Sequence, residues 1–141
     1  MTEQEANDKF IAETLTNLQE EIHQGNVVSG WWTDIKSGTD LAYEARLGTR
    51  LGKALVAEKL ALVHSEVSEA LEGARKNLQD DKLPHRKMIE VELADTVIRI
   101  FDLAGALKLD IGAAIQEKRK YNQTREDHQI TNRLSENGKA Y

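Results

Sequence analysis

Apolar residues return every three or four positions over much of the chain, and that spacing predicts helices. Ile11, Leu15, Leu18 and Ile22 make a stripe over residues 2–24, closed by the stop signal Gly25-Asn26. Residues 27–50 carry Gly30, Gly38 and Gly48 among scattered polar side chains and read as a loop holding one short helix. The periodicity resumes over about 49–78, with Leu51, Leu55 and Leu62 on one side and Leu60, Val63, Val67, Ala70 and Leu71 on a broader face; Gly73 marks a candidate kink. Asp80-Asp81-Lys82-Leu83-Pro84 reads as a turn, with Pro84 suited to the first turn of the helix that follows. That helix, about 85–107, is apolar round most of its circumference, and Glu92, Asp95, Arg99 and Asp102 share the narrow remaining arc. A helix of this kind is expected to be buried, with its polar arc buried or lining a cleft. A fourth helix is expected over about 111–128, with Ile111, Ala114, Ile115 and Tyr121 inward, and residues 129–141 read as a polar, loosely held tail. No strand alternation, internal repeat or low-complexity run interrupts this pattern, so the fold class expected is all-α, in a single domain over 1–141.

Composition narrows the function classes. Acids outnumber bases 24 to 19, for a net charge of −5, which argues against general affinity for DNA or RNA polymers. With no cysteine, disulfides and thiolate metal sites are excluded, and an intracellular, cytoplasmic home is the default expectation. No apolar run approaches the ~20 residues needed to cross a bilayer, and residues 1–10 are too polar for a signal peptide.

The chemistry is carried by two acidic pairs, Glu66-x-x-Glu69 on one predicted helix and Glu92-x-x-Asp95 on the next. Residues three apart share a helix face, so each pair projects two carboxylates the same way. In an acidic chain of this length such pairs arise about four times by chance, and Glu69-x-x-Glu72 is one overlap, so a lone pair on a solvated face is ordinarily structural. Here one pair lies on the most apolar helix and the other on its antiparallel neighbour. Carboxylates crowded into a helix interface repel each other and are costly to desolvate unless a cation joins them. Neither pair ends in His, which sets the site apart from Glu-x-x-His di-iron bundles, and oxygen-only ligands favour Mg²⁺ first and Mn²⁺ second. Mg²⁺ commonly completes its shell with water and substrate phosphates, so phosphoryl chemistry is expected. Lys118, Asn122 and Arg125 fall at i, i+4 and i+7, and read either as a phosphate-binding face or as a solvated helix end complementing the macrodipole. Trp31-Trp32 reads as a nucleobase stacking pair or as a plug in a dimer interface. Lys59 flanks the approach to the first acidic pair, and Arg99 reads as an internal salt-bridge partner.

Residues 58–72, Glu-Lys-Leu-Ala-Leu-Val-His-Ser-Glu-Val-Ser-Glu-Ala-Leu-Glu, followed by Glu92-Leu-Ala-Asp95 and by Lys118 to Arg125, resemble the MazG-like all-α nucleoside triphosphate pyrophosphohydrolases of the single-domain bacterial and phage type. The resemblance covers about 51–128. It implies a four-helix module assembled into a homodimer or homotetramer. It also implies Mg²⁺-dependent cleavage of a (deoxy)nucleoside triphosphate to the monophosphate and pyrophosphate, for house-cleaning or control of the dNTP pool. Glu66, Glu69, Glu92 and Asp95 are then the implied metal ligands, Glu69 the acceptor of the attacking water's proton, and Lys118, Asn122 and Arg125 the contacts to the phosphate tail. A dUTPase-like or phosphoribosyl-ATP hydrolase activity is the nearest enzymatic alternative, and a non-enzymatic helical interaction module the alternative from another class.

Overall fold

Each stretch of three-to-four periodicity becomes a helix, and local caps fix most of its ends. The computed structural model describes residues 1–139, so Ala140 and Tyr141 of the expected tail lie outside the described residues. Its helices are α1 (Glu3–Val28), α2 (Leu41–Arg46), α3 (Arg50–Lys76), α4 (Met88–Ala106), α5 (Ile111–Thr124) and, after a 3-10 turn over Glu126–His128, the short α6 (Ile130–Arg133). No strand forms among the described residues; two isolated antiparallel bridges, Thr33 with Asp40 and Gln79 with Lys87, close loops. The all-α expectation is met. No described helix is long and apolar enough to cross a membrane.

The caps follow from residue type. Asp40 accepts the Tyr43 N–H (2.9 Å) at the start of α2, and Thr49 accepts the Gly52 N–H (3.0 Å) at the start of α3. Asn77, at φ 51°, ends α3 in the left-handed conformation and returns its N–H to the last turn. Two predicted boundaries move. α1 runs through Gly25-Asn26 to Val28, because one helical glycine costs only about 1 kcal/mol and tertiary contacts outweigh it. Pro84 stands outside α4, which opens at Met88; Asp80 instead closes the turn by accepting the N–H groups of Lys82 (3.0 Å) and Leu83 (2.6 Å).

Contacts divide the chain into two units, Asn17–Leu109 and Met1–Thr16 with Asp110–Tyr141. In the first, α3 and α4 pack antiparallel: Gly73 faces Met88, Glu66 faces Arg99, and Leu55 shares a core with Leu103 and Ala106. Gly73 is needed there, since a Cβ would lie 2.9 Å from Met88 Cβ. Trp32, Ala42 and Ala45 complete that core, so α2 and the loop before it seal the end of the helix pair distant from Glu69 and Glu92. In the second unit, residues 1–16 of α1 run against α5, joined by Lys120 to Asp8 (3.1 Å) and by the Thr16 hydroxyl donating to Asp110 (3.2 Å).

The burial expected of the helix over about 85–107 is met only in part. α4 is buried from Phe101 to Ala106, whereas Ile89, Leu93, Val97, Ile98 and Ile100 remain 37–50% exposed. The physical reason is one-sided cover, since α3 and α2 pack along one flank of α4 within this unit. α1 also departs from its predicted stripe. Its buried residues are Gln19 and His23, while Leu18 is exposed.

Candidate metal centre and adjoining cavity

Antiparallel packing of α3 on α4 places Glu66 and Glu69 opposite Glu92. One carboxylate oxygen from each lies within 4.8 Å of the other two. Glu66 and Glu92 are buried and Glu69 is open to solvent. Arg99 reaches back along α4 so that its Nε donates to Glu66, which makes it the internal ion-pair partner expected, though of Glu66 and not of its own arc. One guanidinium against three carboxylates leaves the cluster strongly negative. The consequence falls on Glu92: burial first, then a hydrogen bond shared with Glu66 and the charges of Glu69, Glu66 and Asp95, push its carboxyl up to about 7. Asp95, one turn further on, is also raised, by burial and by the charge of Glu66, with Arg99 opposing. It does not belong to the three-residue cluster and lines the neighbouring cavity.

Such a cluster is stable only with something positive between its oxygens, either a proton or a metal ion. The donor set suits Mg²⁺. Ligands of one Mg²⁺, at about 2.0–2.1 Å each, stand within roughly 4.2 Å of one another. Neighbouring ligands on the octahedron stand closer still, roughly 2.9 Å apart, so oxygens gathered within 4.8 Å would draw together on a shared ion.

Beside the cluster is a cavity of about 500 Å³, lined among others by Trp31, Lys59, Leu62, Asp95, Arg99 and Asp102. The two tryptophans part company here. Trp31 is 67% exposed and presents its indole at the cavity, whereas Trp32 is 2% exposed. The Trp32 indole N–H donates to Asp102 Oδ1 (2.7 Å), its ring meets His23 edge-on at 5.6 Å, and Lys59 Nζ stands 4.5 Å over it. The expectation of a stacking pair is therefore corrected to a single open indole, Trp31, because Trp32 is spent on the core. His23 Nδ1–H donates to the same Asp102 oxygen (2.9 Å), the tautomer that an acceptor-only carboxylate requires. The ring of His23 fits because Gly105 is bare: a Cβ there would lie 2.5 Å from His23 Cβ.

Sequence reasoning placed Asp102 on the polar arc but missed His23. The available signal was a second line along α1, Ala12, Thr16, Gln19 and His23, whose small and polar side chains allow close approach. Gln19 Nε2 donates to the Leu109 carbonyl (2.7 Å), so both buried polar residues of α1 are bonded within their unit.

Lys118, Asn122 and Arg125 lie on or just after α5, in the unit of residues 1–16 and 110–141. Lys118 Nζ stands 4.5 Å over the Tyr121 ring, and Arg125 pairs with Asp127 through two bonds of 2.9 and 2.6 Å. Asn122 Oδ1 is buried with no hydrogen-bond partner among the described residues. No family model, curated protein or solved structure matches the chain.

Proposed function

We propose that the chain is a Mg²⁺-dependent nucleoside triphosphate pyrophosphohydrolase of the MazG-like kind, built on a four-helix module. The observation that carries this reading is the convergence of Glu66, Glu69 and Glu92 on one point, with Glu92 held near neutrality in pKa, beside a cavity bearing an open tryptophan. Glu66, Glu69 and Glu92 hold the metal, with Asp95 on the cavity side. When bound, Mg²⁺ supplies charge stabilisation on the phosphate oxygens and lowers the pKa of water.

The protein's own part is orientation and proton transfer. Arg99 fixes Glu66 against the cluster, and Trp31 offers an indole face to the base. Lys59, which lines the cavity, adds positive charge near the phosphates. A water attacks the α-phosphorus, the bond from that phosphorus to the bridging oxygen breaks, and pyrophosphate leaves. Glu69 accepts the water's proton, a role suited to the one exposed member of the cluster. The assignment of Lys118, Asn122 and Arg125 to the phosphate tail rests on the sequence resemblance alone.

A second copy of the chain is the partner proposed for the exposed apolar faces. Leu60, Val67 and Leu71 fall at i, i+7 and i+11 on α3, and Leu93, Val97 and Ile100 at i, i+4 and i+7 on α4, all more than a third exposed.

The test is pyrophosphate release from a panel of nucleoside triphosphates with and without Mg²⁺. Glu69→Gln and Asp95→Asn are expected to abolish release while the helical circular dichroism persists. Full activity in both variants, or release indifferent to chelator, sinks the assignment.

A further inference from the structure

Asp102 has chemistry left over after the core is satisfied. Its Oδ1 takes both N–H donors, from His23 at 2.9 Å and Trp32 at 2.7 Å, which uses the two lone pairs of that oxygen. No other protein donor reaches the carboxylate among the described residues, yet the side chain lines the 500 Å³ cavity. The backing is rigid, because His23, Trp32 and Asp102 are all buried and His23 is seated on bare Gly105. The cavity thus has a fixed, single-oxygen acceptor in its wall and an exposed indole, Trp31, at the same cavity. Its volume lies within the range of about 300–1,000 Å³ usual for small-molecule sites.

We infer that Asp102 is a specificity-determining residue that selects nucleobases bearing a lone exocyclic amino group, cytosine or adenine, over guanine, uracil and thymine; this rests on the pyrophosphohydrolase reading above. The argument is one of edge chemistry. An amino N–H donates to Oδ2 and leaves beside it a ring nitrogen. Uracil and thymine offer N3–H flanked on both sides by carbonyl oxygens, which face the carboxylate and repel it. Guanine offers two parallel donors that reward a bidentate carboxylate, and Oδ1 is already taken. A polar site built to receive an amino group also rejects analogues lacking it, because its buried acceptor is then left unpaired.

The experiment compares kcat/KM for pyrophosphate release across all the common nucleoside triphosphates with Mg²⁺. The panel includes two substrates stripped of the amino group, the triphosphates of purine riboside and of the 2-pyrimidinone riboside. Quenching of tryptophan fluorescence by the corresponding nucleoside monophosphates, without metal, gives an independent reading of affinity. The expected result is a preference of at least about tenfold for a cytosine or adenine nucleotide over the keto bases and over its own amino-stripped analogue, in both readouts. Asp102→Asn keeps an oxygen for His23 and Trp32 and turns an N–H₂ towards the cavity, so the preference should move towards uracil or thymine. A panel with robust release but no amino preference, or an Asp102→Asn variant weakened equally on every base, overturns the inference and leaves the pyrophosphohydrolase reading standing. Absence of release from every triphosphate overturns both. The amino-stripped substrates test the wild-type protein, so the result stands even if the variant does not fold.

Discussion

Glu92→Gln should make the metal-free protein clearly more stable at pH 8 and change it by less than about 1 kcal/mol at pH 5. In the folded chain the Glu92 carboxyl is raised from 4.5 to about 7 by burial and by its acidic neighbours. In the unfolded chain it returns to the ordinary value, so below about pH 4.5 both states are protonated and the residue costs nothing. As pH rises from there, the unfolded state releases its proton first and is favoured. Above about 7 the full penalty is present, at most about 3 kcal/mol for a shift of this size. Glutamine keeps the shape and the hydrogen bond to Glu66 without ever ionising. In a domain this size the gain corresponds to roughly 10 °C in melting temperature. The assay is urea or thermal unfolding of both proteins in EDTA at pH 5, 6, 7 and 8. Mg²⁺ should reverse the order at pH 8 once it stands at a thousandfold excess over Kd, because only the wild type then gains a divalent ligand, worth roughly 4.1 kcal/mol. A wild-type stability that rises from pH 5 to 8 in EDTA, or a variant destabilised equally at all four pH values, would refute the crowded-carboxylate account.

Gly105→Ala drives a methyl group to 2.5 Å from His23 Cβ, and should cost about 1–3 kcal/mol by urea titration while weakening nucleotide quenching of tryptophan fluorescence. Trp32→Phe removes one of the two donors to Asp102 and should destabilise by about 1–3 kcal/mol, measured by chemical denaturation. Asp110→Ala deletes the N-cap of α5 and the acceptor for the Thr16 hydroxyl; a loss of about 0.5–2 kcal/mol is expected, with helicity lost from α5 by hydrogen exchange. Leu93→Asp with Val97→Asp should shift the mass measured by light scattering towards that of one chain, if a second copy covers this face of α4.

Helix type and order were legible because apolar spacing reports a period directly, and α3 and α4 differ from their predicted bounds by only a few residues. The acidic pairs were legible for the same reason, since a period of three or four puts Glu66 with Glu69 and sets Glu92 against them once the helices pair. The arc on α4 was read as uniform, and there periodicity runs out. Angular position says that Asp95 and Asp102 point the same way as Glu92, but not which neighbour each meets along the axis. His23 and Trp32 meet Asp102 from 79 and 70 positions away, a pairing no local pattern encodes. The fate of Gly25 and of Pro84 was illegible for a related reason: local stop and start signals are worth about 1 kcal/mol or less, and packing overrides them.

The same arc therefore holds two acids in different surroundings. Asp102 is held by two donors from the core, a histidine and an indole that arrive with the fold and stay, so its geometry needs no ligand. The charged groups that act on Glu92 among the described residues are acids, and Arg99 is committed to Glu66, so its geometry is held by a proton or an ion. Arg99 stands between them along α4 and divides the arc. A carboxylate finished by the protein is fit to recognise, because its position is the same before and after binding. A carboxylate left unfinished is fit to bind a cation, because the cation relieves a repulsion that folding built in. Under the proposed function, with the pair at two ends of one helix face, a single rigid element would set the distance between the part of a nucleotide that is chosen and the part that is cut.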